Sequence, residues 1–412
     1  MQKHKILCAG AICALTLTIT PTAMATDKVH ILPEQDAAAY AAVYADTLNS
    51  SYKMALTAKP AATASVNATT PKDSAAAETV QEVHMVATSF DEAGLELIDA
   101  NSTAELISAT QYGEAVTLTV DVTTTATSRL KPGTKTSIAE NGKITSSWTN
   151  RHVLEGITTT ERQNSLNNGQ MDSPTFIKDT IVDDETQPLS ASSDVCKTRR
   201  KASQDSTKLT YAPTPSQSGG ARMSLSKFIQ YANKWTSSPY NKDSQDGFNP
   251  DFPYNSKGGN CTNFASQTLY AAGMKTTAGT SLETHSTDVW TWNLSGISSA
   301  SWTWQNADYN YCYLKKHTDF SSEITNIWTA PQGSIMYTDW NKDNTLDHTL
   351  LVVDNMVVPA GNGKYKPMPV ICQKSSNRNM LPLETWMQYA KTKDHPTFDM
   401  YGLTPAKQNT WA

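Results

Sequence analysis

Nine of the ten tryptophans lie beyond residue 222, and only Trp148 stands outside that region. Aromatic side chains bury large areas, so a chain that concentrates them in one stretch must close a compact core there. Residues 222–412 are therefore expected to fold as one aromatic-cored domain. Most of Trp290, Trp292, Trp302, Trp304, Trp328 and Trp340 belong in that core, with one or two left to line a cleft. At 412 residues, two domains plus connectors are the natural division.

The upstream half divides by composition. Residues 1–25 read as a signal peptide: Lys3, His4 and Lys5 make a basic head, Ile6 to Thr20 an apolar stretch, and Ala23-Met24-Ala25 a small-residue cleavage site. The apolar stretch is short for a membrane span, and no second one follows, so the mature chain is expected to carry no transmembrane segment and to be secreted, extracellular or cell-surface associated. Residues 26–57 have apolar positions at helical spacing: Ala37, Tyr40, Ala41, Tyr44 and Leu48. Residues 58–82 read as an Ala/Thr-rich linker. Residues 83–182 read as a small α+β or antiparallel β domain, with Val116 to Val122 alternating apolar and polar, and Asn141-Gly142 and Asn168-Gly169 as turns. Residues 183–221 form a second polar linker that carries the basic cluster Lys197 to Lys201.

The formal net charge of −5, with a pI of about 5.9, offers no electrostatic attraction to nucleic acid. No nucleic-acid partner is expected, and the chain reads as a monomer. Four cysteines remain once the signal is removed: Cys196, Cys261, Cys312 and Cys372. Too few for a disulfide framework, they allow one bridge in an oxidising compartment. Cys312–Cys372 is the first choice, since both lie in the aromatic half.

The chemistry centres on two positions. Cys261 sits in Gly258-Gly259-Asn260-Cys261-Thr262-Asn263, a glycine turn feeding a cysteine onto the first turn of a helix that ends at Gly273. A helix start supplies partial positive charge and unpaired N–H groups, which favour a thiolate. His348 stands before the apolar run Leu350–Val353, at the head of a buried strand. A neutral imidazole in reach of the thiol takes its proton, so a fold that joins the two is a cysteine hydrolase. The bland alternative is a buried, inert cysteine. Backbone N–H groups at the start of the Cys261 helix are the candidate oxyanion hole, with Asn260, Asn263 and Gln267 as candidate oxyanion or substrate-binding side chains.

The run 258–267, the segment Gly333-Ser334-Ile335-Met336-Tyr337-Thr338-Asp339-Trp340, and Asp347-His348 with its strand resemble the putative amidase domain of secreted bacterial proteins, a relative of the NlpC/P60 and CHAP cysteine peptidases. The resemblance spans about 222–390. It implies a papain-like α+β core with Cys261 as nucleophile and His348 as general base in amide-bond hydrolysis. Where the family tends to carry a His-Thr pair, this chain has Lys374 at the histidine position. Asn377 is the candidate third catalytic residue, its amide oxygen accepting the Nδ1–H of His348; a turn asparagine is the alternative.

Asp339, Asn341, Asp343 and Asp347 fall at positions 1, 3, 5 and 9 of a calcium-type loop, with Asn344 at the left-handed position and no glutamate at position 12. A structural calcium is thus conceivable, and no cofactor is required. The expected fold class is α+β: a C-terminal papain-like (NlpC/P60-type) cysteine hydrolase domain plus a smaller N-terminal sheet-rich α+β domain. The expected function is an exported cysteine-dependent amidase or endopeptidase whose substrate is a cell-wall peptide or a surface protein. The alternative is a non-catalytic cell-wall or cell-surface binding module that keeps the fold.

Overall fold

A computed structural model describes residues 34–57, 75–112, 115–157, 175–182, 223–237, 247–255, 260–297, 299–317, 322–391 and 396–404. The signal peptide, the Asn168-Gly169 turn, Cys196, Gly258-Gly259 and the linker 183–221 fall outside the described residues.

The fold is mixed α/β, with seven α-helices among the described residues around a large antiparallel sheet. Helices α1 (Glu34–Thr57) and α2 (Ala75–Glu92) precede the strands β1 (Leu95–Tyr112), β2 (Ala115–Leu130), β3 (Lys143–Ile157) and β4 (Thr175–Val182). Thr79, Val83, Val86 and Phe90 are all buried, at helical spacing along α2. The linker expected over 58–82 is therefore corrected: from Ala75 onward its alanines start a helix with a core face, since alanine is the best helix former. On β2 the alternation continues far beyond Val122, so one face is buried and the other only partly covered. Asn141 and Gly142, both at positive φ (52° and 72°), make the tight turn into β3.

The C-terminal half contributes α3 (Leu225–Thr236), α4 (Asn260–Ala271), α5 (Trp302–Gln305), α6 (Ala307–His317) and α7 (Leu383–Ala390). Its strands are β5 (Ser322–Glu323), β6 (Ile335–Asp339), β7 (His348–Pro359), β8 (Tyr365–Gln373), β9 (Arg378–Pro382) and β10 (Asp399–Thr404). Ser224 caps α3 by accepting from the Lys227 N–H. Trp290 and Trp304 are fully buried, and Trp290 donates from Nε1 to Ser266 of α4 at 3.1 Å.

The two regions that composition separates share one sheet. Its strand order is β1-β2-β3-β9-β8-β7-β6-β10-β5, with β4 also on β3. The join is a short antiparallel ladder in which Ser147 pairs with Asn379 and Trp148 with Arg378. Trp148, the tryptophan outside the aromatic half, packs there against Phe90 (6.1 Å between centroids) and Tyr389 (6.4 Å). The Cys312–Cys372 bridge is corrected. Cys312 is disulfide-bonded, but Cys372 is a free thiol, fully buried, whose Sγ accepts from the Met380 N–H at 3.5 Å.

Beside the join lies a buried charged cluster. His152 Nδ1 is 2.9 Å from Asp179 Oδ1 and 3.1 Å from the Tyr44 hydroxyl. Glu82 accepts from the Tyr389 hydroxyl at 3.0 Å. Burial opposes the charged His152 ring, but Asp179, Glu82 and Asp121 outweigh it and leave its pKa raised. Burial also raises the pKa of Glu82, against the nearby His152 charge. Both groups hold their protons more tightly folded than unfolded, so both stabilise the fold at low pH. The Glu82 contribution is lost as pH rises above about 4.3, and the His152 contribution as it rises from about 6.5 through the raised folded-state value. The thermal midpoint should therefore fall as pH is raised from about 5 to about 8. In His152→Gln, which keeps a donor for Asp179 but cannot titrate, the upper half of that fall should flatten. An unchanged slope in the variant would refute the assignment.

Candidate active site

Helix α4 runs through the middle of the C-terminal core, and every residue from Asn260 to Leu269 is buried. Asn260 clasps the chain that enters the helix: its Nδ2 donates to Asn255 O at 2.6 Å, and its Oδ1 accepts from Asn255 N at 3.1 Å. Cys261 follows on the first turn, 6% exposed. N–H groups at a helix start have no acceptor within the helix and are free to bond other groups. The far end closes at Gly273, at φ 112°, with Met274 N donating back to Leu269 O at 3.0 Å.

His348 is the first residue of β7 and pairs with Thr338 of β6. Its ring lies almost parallel to Trp340, 6.2 Å between centroids at 28°. Trp340 in turn stacks on Trp386 at 6.0 Å, and Trp386 donates from Nε1 to Gln373 Oε1 at 2.6 Å. The two elements meet through the residues next in sequence. Thr262 Oγ1 and Thr349 Oγ1 are hydrogen-bonded at 2.8 Å. Cys261 and His348 thus stand one residue N-terminal to a direct contact between helix and strand. Cys261 Sγ lies 3.7 Å from the same Thr262 hydroxyl.

Asn377 lies in the turn between β8 and β9. Leu351 pairs with Cys372, so continuing that antiparallel register brings the turn level with His348, at one end of the sheet. The turn is tightly held. Ser375 and Ser376 both adopt left-handed φ (53° and 49°), and Gln373 Nε2 donates to both their carbonyls at 3.2 and 3.1 Å. Asn377 is buried, and its Nδ2 has no hydrogen-bond partner among the described residues. Lys374 is fully buried; its Nζ donates to Gly247 O at 2.9 Å and sits 4.7 Å over the Phe248 ring. Lys374 thus anchors the segment that leads into α4.

The side chains of Asn260, Asn263 and Gln267 are engaged inside the protein. Asn263 donates to Pro253 O at 2.8 Å and accepts from Gln267 Nε2 at 3.0 Å and Trp304 Nε1 at 2.8 Å. Gln267 accepts from the Tyr231 hydroxyl at 2.8 Å. These amides fix α4 against its surroundings. Sequence reasoning passed over Thr262 and Thr349. Their signal was slight: each simply follows a candidate catalytic residue.

The loop 339–347 is closed by its own backbone. Asp339, fully buried, accepts from the N–H groups of Asp343 (3.1 Å) and Asn344 (2.7 Å), and Asp347 Oδ2 accepts from Trp340 N at 2.8 Å. Asn344 adopts φ 66°, the left-handed conformation expected of it. Burial raises the Asp339 pKa, and these two N–H donors pull against it. Among the described residues no group of three or more His, Cys, Asp or Glu side chains is gathered as a metal site needs.

Residues 222–397 match the model of a family described as a putative amidase domain, the family that the C-terminal half resembles by its motifs. No curated protein and no solved structure gives a match. Among the described residues no helix is long and apolar enough to cross a membrane.

Proposed function

We propose that this protein is an exported cysteine amidase or endopeptidase that cleaves amide bonds of cell-wall peptides through a Cys261 thioester. The amidase match supports amide hydrolysis. The observation that carries the cysteine mechanism is the hydroxyl contact between Thr262 and Thr349, which ties the start of the Cys261 helix to the start of the His348 strand. A buried helix presenting a cysteine to an antiparallel sheet that presents a histidine is also what a papain-like core requires. Export rests on the signal-like segment at 1–25.

In this mechanism His348 takes the thiol proton and the sulfur attacks the carbonyl carbon of the amide. The oxyanion forms beside the N–H groups that open α4, which stabilise it as the charge develops. The C–N bond breaks, and the amine leaves with the proton from His348. A water molecule, deprotonated by the same ring, then attacks the thioester, releasing the acid and restoring the thiol. Asn377 holds the ring by accepting from its Nδ1–H. The 339–347 loop fixes Trp340 and the entry to His348 through N–H donors.

The test is alkylation by iodoacetamide across pH 5 to 9, mapped by mass spectrometry. Cys261 should label rapidly below the ordinary thiol pKa of about 8.5. Cys372 should stay unmodified in the folded protein, because burial pushes its thiol up to about 11. Slow labelling of Cys261 over the whole range would favour the binding-module reading, for which the buried Lys374 anchor is the motivating departure.

A further inference from the structure

We propose that the N-terminal sheet is part of the catalytic apparatus, with Arg378 and Asn150 acting as positioning residues for Asn377. The inference rests on the cysteine-amidase reading of Cys261, His348 and Asn377.

The carbonyl of Asn377 is held from two directions. Thr149 N of β3 donates to it at 3.0 Å, and Arg378 Nη1 donates to it at 3.1 Å. The same Arg378 Nη1 also donates to Thr149 O, so one guanidinium nitrogen ties the turn to β3. Arg378 Nη2 donates to Asn150 Oδ1 at 2.8 Å, and the guanidinium lies 5.4 Å from the centre of the Tyr389 ring. Arg378 is 6% exposed, so its charge depends on these partners.

A second layer holds Asn150 and Tyr389 in place. Asn150 Nδ2 donates to Glu82 Oε1 at 3.5 Å, and the Tyr389 hydroxyl donates to the same oxygen at 3.0 Å. Asn150 therefore bridges an acid on α2 to the arginine beside Asn377. The left-handed residues Ser375 and Ser376 explain the need. A backbone strained in this way persists only where its surroundings over-determine it. Gln373 and Arg378 supply that constraint from the C-terminal half, and Thr149, bonded to both the Asn377 carbonyl and Arg378, supplies it from the N-terminal half.

The experiment uses the full chain and iodoacetamide as the probe. Asn150→Leu removes the Arg378 acceptor without touching the proposed catalytic residues. Its Cys261 alkylation profile should shift upward by about one pH unit, a tenfold loss of thiolate at a given pH, because a His348 ring released by Asn377 stabilises the thiolate less. Arg378→Lys, which keeps the charge but not the fork, should shift as Asn150→Leu does, and it carries the test if that variant does not fold. A cooperatively folded Asn150→Leu or Arg378→Lys protein with the parent profile would overturn the inference. Failure of the parent protein to label at Cys261 would instead overturn the underlying reading.

Discussion

Replacing Cys261 with alanine should reduce amide hydrolysis by about 10⁴-fold or more while leaving the fold in place. The change removes the only atom that can form the proposed thioester. It deletes little volume, at a residue already close to the surface of the core and 6% exposed. The contacts that set α4 belong to its neighbours: Thr262 to Thr349, and Asn263 to Pro253 and Trp304. Circular dichroism and the thermal midpoint should therefore change little. Cys261→Ser should be nearly as inactive, since a hydroxyl is a far weaker acid than a thiol and yields its nucleophilic anion far less readily. Hydrolysis at the parent rate in the alanine variant would remove the cysteine mechanism altogether.

Trp148→Ala should cost about 3–5 kcal/mol, a large part of the roughly 5–15 kcal/mol that keeps an ordinary domain folded. Trp148 is 1% exposed and is sandwiched between Phe90 of α2 and Tyr389 of α7. Its backbone pairs with Arg378 across the join. The cavity would thus open at the seam between the halves, where packing from both must relax. Neighbouring Ser146 Oγ donates to Met380 O at 2.7 Å, and Met380 N donates to Cys372 Sγ, so the disturbance reaches a buried thiol of the C-terminal half. Alkylation of Cys372 during denaturant titration should accordingly begin at lower denaturant in the variant. An unchanged Cys372 midpoint would show that the two halves unfold independently and that the seam contributes little to the second.

Much of the local structure was legible in the residues. The alternation from Val116 and the left-handed residues Asn141, Gly142, Gly273 and Asn344 all act within a few positions of themselves. The candidate pair was legible for a similar reason. A cysteine on a first helical turn and a histidine heading an apolar run are properties of short segments, and the amidase match covers both.

Other features had no local signal. The alanines at 75–77 read as linker by composition, and only the core beneath Val83, Val86 and Phe90 decided for the helix. The Cys312–Cys372 pairing was inferred from shared composition, which carries no distance information, and the thiol of Cys372 is free.

By itself, then, the sequence determined the segments: which of them helices and strands could occupy, where turns had to fall, and which residue types offered thiol and imidazole chemistry. Tertiary structure alone decided the assembly. It set Thr262 against Thr349, drew the amides of Asn263 and Gln267 into the interior, and joined β3 to β9 across more than two hundred residues of chain. The physical reason is range. Capping, turn and periodicity preferences act over one or two turns of chain, whereas a strand edge accepts any partner of suitable register. Which partner it takes depends on the free energy of the whole packed core.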